Sequence, residues 1–254
     1  MTSDKQIEYK SDFFDFHVAE GVGVLKFKRG IFELGTDLSL RDALFACLRE
    51  AEELPDVRVV LIFSCGDCFS GEEYRQFLTK VSGTDDGELL FAREGNTLQH
   101  FILHVIRSKN MFLAGLTGET CTPFIGTSLA CDFRYAHENA TFVFSHFDMN
   151  IPPGGGIGYF LPRYVGQARA VEMLYGGKTL TAREAFDLGL VNGVYSGDDF
   201  EARCIEKAQE MAKRPLAAIS CTRSLLYSDT EQLEKYLERE FKIMRLGCAS
   251  IISS

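Results

Sequence analysis

The run VRVVLIFS, Val57 to Ser64, is almost unbroken in β-branched and aliphatic side chains. A strand of that composition is satisfied only where both of its faces are buried. Before it, Leu40, Leu44, Leu48 and Ala51 recur three to four residues apart between Ser39 and Glu53, and the pattern closes at Pro55-Asp56. That spacing predicts an amphipathic helix. Further back, Phe14, Phe16 and Val18 alternate with polar residues, Glu20-Gly21 turns, and Val22, Val24, Lys26 and Lys28 resume, which is a hairpin pattern. Hairpin, helix and buried strand in that order imply a right-handed crossover, so the chain reads as α/β.

The rhythm repeats. A helix is expected from about Glu88 to Ser108, a strand from Met111 to Leu116, a helix from Pro123 to Ala130, and strands near Phe133 to Ala136 and Thr141 to Phe144. After Pro153 the periodicity is helical: Ile157 to Val165, Ala168 to Tyr175, Ala182 to Leu188, Phe200 to Lys213, Leu216 to Tyr227 and Glu231 to Leu246. We expect a core over residues 1–195 and a C-terminal helical region over 196–254, with no linker that would make the second independent.

A net charge of −9 with scattered Lys and Arg argues against a polyanionic partner such as nucleic acid. The longest apolar stretches are strand-sized, and the opening MTSDKQIEYK lacks an apolar leader core, so a cytoplasmic protein with no membrane partner is expected. The eight cysteines lie mostly in apolar periodic segments and are expected as free thiols. Cys65 and Cys68 have CxxC spacing, but no second ligand pair accompanies them, and they read as structural rather than metal-binding or redox. His100 and His104 stand one helical turn apart without an evident third ligand, so no metal is expected.

Three strings resemble a known family: VVLIFSCGDCFSG (Val59 to Gly71), AGLTGETCTPFIGTSLACDFR (Ala114 to Arg134), and the stretch from Asn139 that ends in PPGGGIGYFLPRYVGQARAVEMLYGGKTLTAREAFDLGLVN. Together they resemble the crotonase, or enoyl-CoA hydratase/isomerase, superfamily. The resemblance implies a spiral of β-β-α units with a C-terminal helical trimerisation layer, a homotrimer or dimer of trimers, and small-molecule acyl-CoA substrates. Coenzyme A would arrive as part of the substrate, with no separate cofactor. It also implies an enolate oxygen held by two backbone N–H groups, an arrangement in which each donor contributes roughly 3 to 4 kcal/mol.

Carried over by position, the first donor is Gly71 and the second falls within Thr122-Pro123-Phe124. Pro123 has no N–H, which leaves Phe124 as the expected donor. The family's two hydratase glutamates fall at Gly126 and His146, so both carboxylates are missing and standard two-glutamate hydration is not expected. His146 is the candidate acid or base. Asp148 would orient it from the same side if the segment is extended. Glu72, Glu119, Pro123, Gly126 and Tyr159 are expected around the substrate pocket, with Glu73 beside them. The family's adenine loop is replaced by Glu72-Glu73-Tyr74, where Tyr74 could stack on a base. Lys28, Arg29, Arg75 and Lys80 are the nearest candidates for phosphate.

A partial likeness to 6-oxocamphor hydrolase lies in Phe144-Ser145-His146-Phe147 and in the proline of the oxyanion helix, although Gly155 stands where that enzyme type has an aspartate. The reading that follows is an isomerase, decarboxylase or hydrolase acting on an acyl-CoA or other acyl-pantetheine through its enolate. Two alternatives stand beside it: a β-diketone hydrolase that needs no coenzyme A, and a catalytically silent acyl-binding or hetero-oligomer subunit.

Overall fold

The computed structural model describes residues 7–28 and 30–252, with side chains as far as Leu246. β1 (Glu8–Lys10), β2 (Phe14–Ala19) and β3 (Val22–Phe27) form an antiparallel meander. Its tight turn holds Glu20 and Gly21 at φ 49° and 77°, the left-handed pair that a two-residue hairpin needs. α1 (Ile31–Thr36) and α2 (Leu38–Glu53) follow. Asp37 separates them, its carboxylate accepting the N–H groups of Ser39 and Leu40 at 2.9 and 3.2 Å, which caps α2.

The chain continues through β4 (Val59–Phe63), α3 (Gly71–Ser82), α4 (Gly87–Arg107), β5 (Met111–Leu116), β6 (Glu119–Cys121), α5 (Thr122–Leu129), β7 (Phe133–His137) and β8 (Thr141–Val143). It ends with α6 (Ile157–Val165), α7 (Gln167–Gly176), β9 (Thr179–Thr181), α8 (Ala182–Asp187), β10 (Gly193–Tyr195), α9 (Phe200–Ala212), α10 (Leu216–Leu226) and α11 (Thr230–Ile252). The main sheet runs β1-β2-β3-β4-β5-β7-β10, parallel from β3 onward, and a small sheet runs β6-β8-β9. β5 and β7 in the main sheet are followed by β6 and β8 in the small one. β4 is followed by a single bridge from Phe69 to Thr120 beside that sheet. This is the repeated β-β-α turn expected from the sequence.

β4 lies within the apolar run Val57 to Ser64 and places it between two layers. Val60 and Ile62 pack into the core under α1, α2 and α4, while Val59, Leu61 and Phe63 face Phe200, Cys204 and Ala208 of α9. α9 therefore closes the second face of the main sheet and belongs to the body. α10 is tied to the same body by Arg223, which donates to Asp132 and, at 3.0 Å, to the Ser108 carbonyl. α11 lies along α4.

One expectation fails locally. Residues 147–149 form a 3-10 turn with Asn150 at φ 55°, so Asp148 does not share an extended face with His146 and is exposed. Short elements with few apolar positions were not anticipated: β1, α1, β6, β9 and β10.

Candidate functional site

Ser70 caps α3 by accepting the Glu73 N–H at 3.3 Å. The N–H of Gly71, the first helical residue, has no partner within the helix. It donates instead to Glu119 Oε1 at 2.7 Å. Glu119 reaches this point because Gly118, at φ 63°, turns the chain tightly against the preceding loop. A Cβ on Gly118 would lie 2.4 Å from the Gly66 carbonyl oxygen, so only glycine fits. The positive end of α3 favours an anion there.

The space in front of Gly71 is shared. A Cβ on Gly71 would lie 3.1 Å from Ser145 Oγ, 3.2 Å from Glu119 Oε1 and 3.4 Å from Met149 Cε. Ser145 Oγ is buried without a hydrogen-bond partner. One backbone donor, one carboxylate and one unsatisfied hydroxyl thus meet at one place, and Glu119 remains partly exposed to solvent.

His146 does not join them. The residue is 2% exposed, and Nδ1 stands 3.3 Å from Thr122 Oγ1. Nε2 is buried with no hydrogen bond. Burial lowers its pKa, outweighing the Asp148 charge and the Leu174 carbonyl, which act the other way. The chain bends after β8, with His146 at φ −62° and ψ −35°, and Ser145, not His146, is the residue that stands against Gly71.

The start of α5 offers little. Cys121 precedes it, Pro123 occupies the first turn, and the Phe124 N–H leans on the Cys121 sulfur. Gly71, Phe124 and His146, expected around one point, have three separate partners. Gly126 and Gly155 lie where the Gly154–Gly156 loop packs on α5. A Cβ on Gly126 would lie 2.4 Å from the Gly155 oxygen, and one on Gly155 would lie 2.0 Å from the Pro123 oxygen. No side chain fits at Gly126, and the missing carboxylate there has a packing cause.

Two acids not anticipated from the sequence are buried nearby. Glu94 on α4 is 4% exposed, and burial pushes its pKa up to about 8. Glu240 on α11 accepts the Gly156 N–H with both oxygens, at 3.0 and 3.1 Å, and burial raises its pKa to about 7. Both line a cavity of about 30 Å³ with Tyr74, Pro123, Gly155 and Met244. Glu94 also borders an apolar cavity of about 60 Å³ with Phe69, Phe101 and Phe124. The signal was present in the sequence. Glu94 follows Phe91 by three and Glu240 follows Leu237 by three, so each interrupts an apolar helical stripe where a charge has no place.

The remaining candidates lie elsewhere. Glu72 is exposed and pairs with Arg75 at 2.9 Å. Tyr74 is buried against Phe32, with ring centroids 4.6 Å apart, and is not available to stack on a base. Tyr159 packs on Tyr236 and under Arg163, in a groove with Phe160 and Tyr227 that includes none of the residues at Gly71. Lys28 pairs with Asp15 at 2.7 Å and Lys80 with Glu33 at 2.6 Å. Arg29 is outside the described residues. His104 faces Glu52 at 3.3 Å and His100 packs on Phe45. No group of three or more metal-ligating residues occurs among the described residues, and no described helix is long and apolar enough to cross a membrane.

The family model for enoyl-CoA hydratase/isomerase matches residues 17–247, and the chain belongs to that family, the crotonase superfamily that its sequence resembles. Enoyl-CoA isomerase/hydratase fer4 of Mycosarcoma maydis is 30% identical over 195 residues, 76% of this chain and 69% of that protein. 4-Chlorobenzoyl coenzyme A dehalogenase-1 of an Arthrobacter species is 33% identical over 143 residues, 56% of this chain and 52% of that protein. The solved structure of an enoyl-CoA hydratase from Bacillus halodurans is similar with a TM-score of 0.81 at 22% identity, over 93% of this chain and 95% of that one. That likeness is one of fold.

Proposed function

We propose that the chain binds an acyl thioester of coenzyme A and moves a proton at the carbon next to the thioester carbonyl, with Glu119 as the acid–base residue. The hydrogen bond from the Gly71 N–H to Glu119 at 2.7 Å carries this reading. It places a carboxylate on the amide that, by the family resemblance, would receive the thioester oxygen. A substrate carbonyl that takes the amide displaces Glu119 and leaves it beside the reacting carbon. The relatives, an enoyl-CoA isomerase/hydratase and a 4-chlorobenzoyl coenzyme A dehalogenase, support a coenzyme A thioester. One backbone donor stabilises an enolate oxygen by roughly 3 kcal/mol, and Pro123 withholds a second N–H. A single base suits proton relocation of the isomerase type better than hydration, for which the second carboxylate has no room at Gly126.

The test is exchange of the α-proton for deuterium in heavy water, followed by mass spectrometry over a panel of saturated and unsaturated acyl-CoA thioesters. Exchange is expected with at least one of them. Glu119→Gln is expected to reduce it by about 10²-fold or more, the range of a general base, while a thermal-shift titration still shows binding. Binding without exchange in the native chain would replace this reading with that of a silent acyl-binding subunit. Neither binding nor exchange with any coenzyme A thioester would remove both.

A further inference from the structure

The turn that leads into Gly71 carries a second chemistry. Cys65 and Cys68 close a β-turn in which the Cys68 N–H donates to the Cys65 carbonyl at 2.9 Å. The turn brings the two side chains together: the Cys65 N–H donates to Cys68 Sγ at 3.1 Å, and the two thiols hydrogen-bond to each other. Residues at the ends of a β-turn have Cα atoms less than about 7 Å apart, within the reach of a disulfide. Gly66 takes φ 46° inside the turn. The two thiols differ in access, Cys65 being half-buried and Cys68 buried. No further His, Cys, Asp or Glu completes a metal-ligand group with them among the described residues.

We propose that Cys65 and Cys68 form a redox-active dithiol, with Cys65 as the thiol that attacks an external disulfide and Cys68 as the thiol that resolves the adduct. The Cys65 thiolate attacks one sulfur of a low-molecular-weight disulfide such as oxidised glutathione. An S–S bond forms to Cys65 and one thiolate leaves. Cys68 then loses its proton and attacks the Cys65 sulfur, the Cys65–Cys68 bond forms, and the second thiolate departs. The pair gives up two electrons, and the external disulfide becomes two thiols. The ionisation of the groups fits these roles. The hydrogen bond from Cys68 lowers the pKa of Cys65, and that same bond together with burial raises Cys68. An attacking thiol is reachable and readily ionised, whereas a resolving thiol needs only its neighbour.

The position gives the pair an effect to exert. Gly66 N–H donates to Thr117 Oγ1 at 3.2 Å, and Gly118, one residue before Glu119, packs on the Gly66 carbonyl. Rearrangement of this turn is therefore transmitted to the Gly71–Glu119 contact through Gly118.

The full chain is equilibrated in glutathione mixtures from fully reduced to fully oxidised, quenched with acid, alkylated and digested with trypsin. The peptide of residues 59–75 contains both thiols and no other cysteine. It is expected to pass from doubly alkylated to unalkylated with the loss of two hydrogens, and to return on addition of reduced glutathione. Cys68→Ser is expected to trap glutathione on Cys65, and Cys65→Ser to leave Cys68 alkylatable only after unfolding. Full alkylation of the native peptide in oxidised glutathione alone overturns the proposal. So does a Cys68→Ser protein that melts like the native chain yet carries no glutathione on Cys65. The native-chain titration is decisive even if a variant fails to fold.

Discussion

Glu119 accepts the Gly71 N–H at 2.7 Å, so the first turn of α3 is completed by a carboxylate from the neighbouring turn of the spiral. An acid at a helix N-terminus is stabilised by the amide dipoles and in turn holds the two turns together.

Glu119→Ala therefore acts on stability as well as on proton exchange. Loss of the charge-assisted hydrogen bond at this half-exposed site is expected to cost about 1 kcal/mol in urea unfolding. Glu119→Gln, which keeps an oxygen acceptor, should lose less. Equal losses from both would mean that the charge contributes and the hydrogen bond does not.

Restoring a glutamate at Gly126 should not restore a hydratase site. The first side-chain carbon already overlaps the Gly155 oxygen, and such overpacking costs 1–3 kcal/mol or more. Gly126→Glu is expected to melt well below the native chain. Unchanged melting together with newly gained hydration of an enoyl-CoA would contradict this packing of Gly155 on α5.

Glu94 is expected to make the native state less stable as pH rises. Its pKa stands near 8 when folded, against an ordinary value of 4.5. Between those values the folded chain binds more protons than the unfolded one, and stability falls by as much as about 1 kcal/mol per pH unit. Stability from this residue is thus complete below pH 4.5 and lost by about pH 8. Glu94→Gln should flatten melting temperature against pH in that window. An unchanged slope would show that the carboxyl is ionised and compensated in the native state.

His146 acts in the opposite sense. Its folded pKa lies below the ordinary 6.5, so the unfolded chain binds the extra proton and stability is lost as pH falls below 6.5. His146→Asn should reduce the steepness of the acid limb of the stability curve. Proton titration of the ring by NMR checks the direction independently, and a midpoint at or above 6.5 would exclude it.

Much of the scaffold was legible in the chain. The hairpin, α2, α4 and the helices after Pro153 follow from runs long enough for their period to be read, and β4 was recognised because a strand buried on both faces cannot alternate. The absence of a carboxylate at Gly126 and at His146 was likewise visible, because it depends on sequence position alone.

The contacts were decided elsewhere. That Ser145 rather than His146 meets Gly71 depends on how the chain bends after β8, where His146 leaves the extended region. That Asp148 leaves its partner depends on a 3-10 turn of three residues. That Glu119 reaches Gly71, and that Glu94 and Glu240 border one cavity, depends on turns of the spiral stacking residues far apart in sequence. Periodicity records which residues seek burial, and so determined the elements. It carries no information on which buried residues meet, and at that level the close packing of glycine turns at Gly118, Gly126 and Gly155 set the geometry.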